Sequence, residues 1–326
     1  MNPFHPASKE NPLTTPQWVG EKGVDAVIAL SIDDFALDKK ELFVQPRLRL
    51  RASAPVSVKF DLSNVFDKLK SVNDDGAAIT IMGEFYNGPK GLLFDFIEQW
   101  IQDGASLGAH THTLIHDPTS GWSNVVNIAN CVASLMATES MKYGVMRLPG
   151  FDSTSISCED GFQKYMLRSP ASVDSSVLNI LKGVTRLGTT FTSDKPDYIV
   201  DYPYPYLLKS CLANRLAGVA PFWEIPCTAP TDWQAWHALR ETKAFKRVTD
   251  AEKDQMLVDD WKNSLDRVVE LKGLLNLTFH PHGWISSEQV SQFIDYAVET
   301  YGNRVKFLNF EQCASRLDHY EQQSKL

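Results

Sequence analysis

The chain reads as an α/β protein, a parallel sheet with helices outside it, closed into a barrel as one domain. Three observations predict this. An almost uninterrupted apolar run, Val24-Asp25-Ala26-Val27-Ile28-Ala29-Leu30-Ser31-Ile32, has the composition of a strand buried on both faces. Strand-like and helix-like segments then alternate to the C-terminus, the pattern of a parallel sheet wrapped by helices. Finally, no Gly-x-Gly-x-x-Gly turn follows the first strand and no Walker-type phosphate loop occurs, which removes the nucleotide-binding open sheets and leaves a barrel as first choice. A chain of 326 residues is within the range of a single α/β barrel.

Residues 1–23, rich in Pro, Thr and Asn, read as an extended N-terminal arm, and 24–326 as the catalytic domain. Ser63 to Leu69 has the pattern of a capped helix, and Ala77 to Gly83 that of a second buried strand. Gly91 to Gly104 carries Leu92, Leu93, Phe96, Ile97, Trp100 and Ile101 at helical spacing and stops at Gly104. Ser106 to Ala109 is a short strand, Ser123 to Tyr143 a helix, and Tyr143 to Arg147 a strand that Pro149-Gly150 is expected to break. From Ser169 to Pro230 the prolines suggest loops over the barrel mouth, with a strand at Phe222 to Pro226. Helices over Lys253–Leu271, Ser286–Tyr301 and Glu311–Leu317 alternate with strands over Leu274–Phe279 and Val305–Leu308.

A net charge of −8 argues against a nucleic-acid partner and against docking on an anionic membrane, and suits a neutral substrate. The N-terminus lacks a basic stretch followed by an apolar segment, so a cytoplasmic location is expected. Five cysteines without a Cys-x-x-Cys pair read as reduced packing residues. The sequence leaves the oligomeric state open.

Two features carry chemistry. Asp33 and Asp34 stand side by side at the C-terminal end of the first strand, the edge where parallel α/β folds build active sites. Adjacent carboxylates repel when both are ionised, so a buried pair calls for a cation. The second feature is Gly108-Ala109-His110-Thr111-His112-Thr113-Leu114-Ile115-His116, three imidazoles in one short segment after a strand. His112 and His116 are four apart, so a helical turn would present both to one ion. Imidazole nitrogen with the Asp34 carboxylate suits Zn2+, with Co2+, Mn2+ or Ni2+ as alternatives, and leaves a position open for water. The segment contains no His-Glu-x-x-His, so a zinc-peptidase reading is weak. Trp122, Trp223, Trp233 and Trp236 would serve as sugar-stacking faces or as core; burial explains them without a ligand.

Taken together, Ser31-Ile32-Asp33-Asp34, the Gly104-to-Gly108 approach to the histidines, His112-Thr113-Leu114-Ile115-His116, Arg147-Leu148-Pro149-Gly150-Phe151 and Leu277-Thr278-Phe279-His280-Pro281-His282 resemble, in kind and in order, the polysaccharide deacetylase (NodB-homology) superfamily. The resemblance spans Val24 to about Leu317. It implies a distorted (β/α) barrel, a divalent ion held by Asp-His-His, and hydrolysis of an amide, usually the N-acetyl group of an amino sugar. By position, Asp33 matches the general base, Asp34 the metal-binding aspartate, Arg147 the arginine that orients the base, and His280 the general acid, with His282 as its alternative. Pro149 and Phe151 match the groove wall.

This sequence departs from the family pattern in three places. Phe35 replaces the usual glycine after the aspartate pair. Leu148-Pro149-Gly150 replaces the commoner double proline. The histidine ligands align in two ways: on Gly104 and Gly108 the first is His110, and on the His-Thr-x-x-His spacing the pair is His112 and His116. The expected activity is metal-dependent deacetylation of an N-acetylated amino sugar or polysaccharide. The alternative is hydrolysis of a small cyclic imide, ureide or formamide by the same superfamily chemistry. A non-catalytic carbohydrate-binding protein is a third class, disfavoured by the intact set Asp33, Asp34, His116, Arg147 and His280.

Overall fold

The computed structural model describes residues 17–36, 62–84, 99–110, 144–152, 184–189, 203–207, 223–225, 228–241, 243–280 and 283–323. Among these, nine strands form one sheet: β1 (Ala26–Ala36), β2 (Ile79–Glu84), β3 (Ser106–His110), β4 (Gly144–Asp152), β5 (Val184–Thr189), β6 (Tyr206–Leu207), β7 (Trp223–Ile225), β8 (Leu274–Phe279) and β9 (Val305–Phe307). Their order is β6-β7-β5-β4-β3-β2-β1-β8, with β9 also paired to β1. Every pairing is parallel except β6 with β7. The helices are α1 (Leu62–Val72), α2 (Asp232–Glu241), α3 (Asp250–Leu271), α4 (Ser287–Tyr301) and α5 (Phe310–Gln323), and residues 99–102 are helical.

Strand β1 is the axis of the sheet. It pairs with β2, β8 and β9, and its two faces feed two separate apolar clusters. Ala26, Ile28, Leu30 and Ile32 pack with Leu275, Leu277 and Phe279 of β8 beneath the helix residues Val65, Leu69, Trp261, Leu265, Phe293 and Ile294. Trp261 and Phe293 meet edge to face, 6.0 Å apart, and join α3 to α4. The alternate residues Val27 and Ala29 face a second cluster with Met82, Leu274, Phe310, Cys313, Leu317 and Trp18. The period of two along a strand makes this division.

Both central helices begin on a capping box, Thr249 with Glu252 for α3 and Ser286 with Gln289 for α4. Gly104 turns the chain at φ +102, a backbone region that L side chains rarely adopt, and so ends the preceding helix as expected. Cys313 is a free, buried thiol whose desolvation pushes its pKa up, consistent with a packing role.

Several expectations are corrected. Residues 17–20, assigned to the extended arm, form a 3-10 turn whose Trp18 is 1% exposed in the second core cluster. Pro149-Gly150 does not end β4: the strand continues to Asp152, and the irregularity appears as a register shift against β5 between Arg147 and Asp152. The proline-rich middle contains β5 and β6, and α2 follows the strand after it. The expected helix at Ser123 to Tyr143 lies outside the described residues. No described helix is long and apolar enough to cross a membrane.

A closed ladder is not seen among the described residues; the sheet path ends at β8 on one side and β6 on the other. The outer edge of β8 is nevertheless satisfied. The Leu274 N–H donates to the Pro203 carbonyl (2.8 Å), the Asn276 N–H to Thr228 Oγ1 (2.8 Å), and the His280 N–H to Asp232 Oδ2 (2.8 Å). Thr228 Oγ1 in turn donates to the Leu274 carbonyl (3.1 Å), and the Asn276 amide donates to the Ile225 carbonyl at the end of β7 (3.2 Å). Buried backbone groups must find partners, and here the Pro203 carbonyl and the Thr228 and Asp232 side chains supply what a neighbouring strand would have supplied.

Two tests follow from this packing. A Cβ on Gly273 would lie 2.5 Å from the Pro203 carbonyl oxygen, so Gly273→Ala is expected to cost about 1–3 kcal/mol, read as a lower urea midpoint at unchanged slope. Glu21 sits between Arg316 Nη2 (2.6 Å) and Lys306 Nζ (3.2 Å). Burial alone would raise its pKa, but hydrogen bonds from these two cations outweigh it and hold the carboxyl below its ordinary 4.5. A depressed carboxylate contributes stability above that ordinary value and loses it as pH falls through the folded-state pKa. Wild type and Glu21→Gln are therefore expected to melt apart at about pH 7 and to converge towards about pH 3.

Candidate active site

The C-terminal edge of the sheet gathers the chemistry-bearing residues. Parallel pairing brings strand ends together: Ile32 of β1 is opposite Ile81 of β2 and Phe279 of β8, Met82 of β2 is opposite Gly108 of β3, and His110 of β3 is opposite Arg147 of β4. Asp33 and Asp34 follow Ile32, and His280 follows Phe279, so five candidate positions from four strands share one end of the sheet.

The interior rows below this edge are polar. Ser31 and Thr278 are register partners, fully buried, with their hydroxyls 3.2 Å apart. Thr80 and Ser106 form a similar pair at 2.9 Å between β2 and β3. Asp33 and His280 come two residues after Ser31 and Thr278, at the ends of the same two paired strands. Both are enclosed, at 1% and 8% exposure.

At the two aspartates β1 is irregular. Ile32 pairs with Ile81 but Phe35 pairs with Gly83, so three steps along β1 match two along β2. One extra residue is inserted where Asp33 and Asp34 stand. Such bulges bend a strand and re-aim its side chains, and they are over-represented beside active sites.

His280 is held from one side by Asp232, the first residue of α2, whose side chain is fully buried. Asp232 Oδ1 lies 2.7 Å from His280 Nδ1 and accepts the Trp233 N–H at 2.8 Å, while Oδ2 accepts the His280 backbone N–H at 2.8 Å. A carboxylate only accepts, so the proton of this ring bond belongs to Nδ1 and the ring's other nitrogen, Nε2, is the one set for proton exchange. Trp284 packs edge-on against the imidazole with centroids 5.1 Å apart, fixing the plane of the ring. The arrangement is an oriented imidazole backed by a buried carboxylate, able to hold a positive charge on the ring during proton transfer.

Sequence reasoning did not identify Asp232. Its signal was local: Thr231-Asp232 directly after Pro230, at the start of a helix whose Ala235 and Leu239 are buried four residues apart. What no local signal contains is the His280 partner, 48 positions away in the chain. Trp233, next to Asp232, is 48% exposed, whereas Trp236 carries Arg240 over its ring at 5.4 Å.

The remaining predicted residues are placed only in part. Asp34, His110 and Arg147 are located by their backbones in β1, β3 and β4 at the same sheet end. His112, His116 and His282 lie outside the described residues, as does Phe222; the choice between His110 and His112 is therefore not decided by the fold.

No family model matches the chain, and no curated protein does. Among solved structures, the "Crystal structure of putative polysaccharide deacetylase from Mycobacterium smegmatis" aligns with a TM-score of 0.55 over 98% of this chain and 96% of that one, at 16% identity. At that identity the likeness is one of fold.

Asp232→Ala would leave the His280 N–H and the Nδ1 proton without their acceptor. Each buried donor left unpaired costs about 1–3 kcal/mol, so a lower urea midpoint at unchanged slope is the expected outcome.

Proposed function

We propose that this protein is a hydrolase of non-peptide amides that removes the N-acetyl group from an amino sugar or polysaccharide. The observation that carries the reading is the placement of two buried groups at the ends of paired strands, directly after the register partners Ile32 and Phe279: Asp33, and the His280 imidazole backed by Asp232. The fold likeness to a deacetylase structure agrees with it.

Amide hydrolysis needs a nucleophile from water and a protonated leaving amine. Asp33 takes a proton from the attacking water as its oxygen bonds to the acyl carbon. His280 delivers a proton to the nitrogen as the C–N bond breaks, giving acetate and a free amine. Asp232 stabilises the imidazolium before that transfer and keeps the ring from rotating. Arg147 is assigned to hold Asp33 ionised and oriented, since a cation within about 4–6 Å favours the charged carboxylate.

The residue types also suit a divalent ion. Asp34, with His116 and either His110 or His112, offers the carboxylate and imidazole donors that Zn2+ prefers, and the β1 bulge lies where the first of these donors enters. When bound, such an ion supplies Lewis-acid polarisation of the amide carbonyl.

The test is acetate release from N-acetylglucosamine oligomers and peptidoglycan fragments, run beside a panel of cyclic imides, ureides and formamides. Acetate release that a chelator abolishes and Zn2+ restores is the expected result. Ring opening of the small molecules without acetate release would move the assignment to that substrate class. Asp33→Asn and His280→Ala are each expected to lower kcat by about 10²–10⁴. Wild-type turnover in Asp33→Asn would point to a binding protein instead.

A further inference from the structure

Among the described residues no strand pairs with the outer edge of β8, which leads to His280, and what holds that edge sets the position of Asp232. Residues 228–232 run beside β8 in the same direction and in step with it: Thr228 is bonded to Asn276, and four residues later in both segments Asp232 is bonded to His280. We infer that Thr228 and Asn276 are positioning residues for the His280 acid, fixing the register in which Asp232 meets it; this deepens the hydrolase reading above and rests on it.

Four bonds define the anchor. The Thr228 hydroxyl accepts the Asn276 N–H at 2.8 Å and donates to the Leu274 carbonyl at 3.1 Å, so it bridges two successive outward-facing groups of β8. The Thr228 N–H donates to the Asn276 carbonyl at 3.4 Å. The Asn276 amide reaches the Ile225 carbonyl at 3.2 Å and ties the same point to β7. Thr228 and Asn276 are fully buried, so water cannot replace these bonds. A further clamp follows at Pro230, whose carbonyl accepts the Trp261 indole N–H at 2.8 Å.

Register matters because the spacing is coarse. A slip of one residue moves a strand-like segment by about 3.3 Å, more than the whole length of either Asp232–His280 bond. The Thr228 hydroxyl bridges one N–H and one carbonyl, a pair that recurs every two residues along a strand edge, and the Asn276 amide on the Ile225 carbonyl selects this one. Misplacement of a reacting group by about 1 Å can cost about 10²-fold in rate.

The experiment uses the full chain labelled with 15N-histidine. The Nδ1 proton of His280, assigned by its loss in His280→Gln, reports the Asp232 bond directly. In Thr228→Val this downfield resonance is expected to vanish or move upfield, and kcat for deacetylation to fall about 100-fold with KM changed less than threefold. Thr228→Ser, which keeps the hydroxyl, is expected to restore both. If Thr228→Val does not fold, Asn276→Ala reads the same two signals. A folded Thr228→Val or Asn276→Ala with an unchanged Nδ1 resonance and unchanged kcat overturns the inference. Loss of the resonance in a protein that releases no acetate from any substrate upholds the positioning role and counts against the deacetylase reading alone.

Discussion

Pairing between β1 and β8 is the constraint on which the described site depends. Six consecutive register partners, Val27 with Leu274 through Ile32 with Phe279, bring the ends of two strands nearly 250 residues apart in sequence to the same level. Both strands are buried on both faces, so a one-residue slip would drive Ile28, Leu30 and Ile32 out of one apolar cluster and Ser31 and Asp33 into it. The register is thus enforced by the core, and the site inherits it. Asp33 and His280 are neighbours because Ile32 and Phe279 are.

The other side of β8 is organised on a different principle. Among the described residues no strand ladder is seen there: the Thr228 and Asp232 side chains of a short segment, residues 228–232, and the Pro203 carbonyl each take one outward-facing N–H. A buried sheet edge without partners would be costly, so the segment is needed for folding alone. Asp232 joins the two requirements: one oxygen completes the β8 edge and the other orients the imidazole. The β8 edge and the ring orientation therefore draw on the same carboxylate.

The two buried polar groups stand in different environments. Asp33 stands at the β1 bulge above a row of buried hydroxyls, and His280 stands against Trp284 with a carboxylate behind it. The bulge interrupts the strand period where the two adjacent carboxylates occur, which matters because strict alternation would assign neighbours to opposite faces.

Much of the frame was legible in the sequence. The limits of β8 and α4 follow from a short, predominantly apolar run and from a serine cap with a glutamine three residues on, both signals contained within a dozen residues. Asp33 and His280 were legible for the same reason, as polar residues ending apolar strands. Trp18 in the core, the passage of β4 through Pro149-Gly150, the strand β5, and Asp232 were not, because each is decided by partners remote in the chain: the α5 face for Trp18, the β5 ladder for β4, and the His280 backbone and ring for Asp232. The sequence by itself determined the alternating parallel α/β class and the residue types available for chemistry, since hydrophobic period and capping are local properties. The tertiary structure decided which of those residues meet, and that the open edge of β8 is sealed by side chains, because register and hydrogen-bond partnership arise only when distant segments are packed against each other.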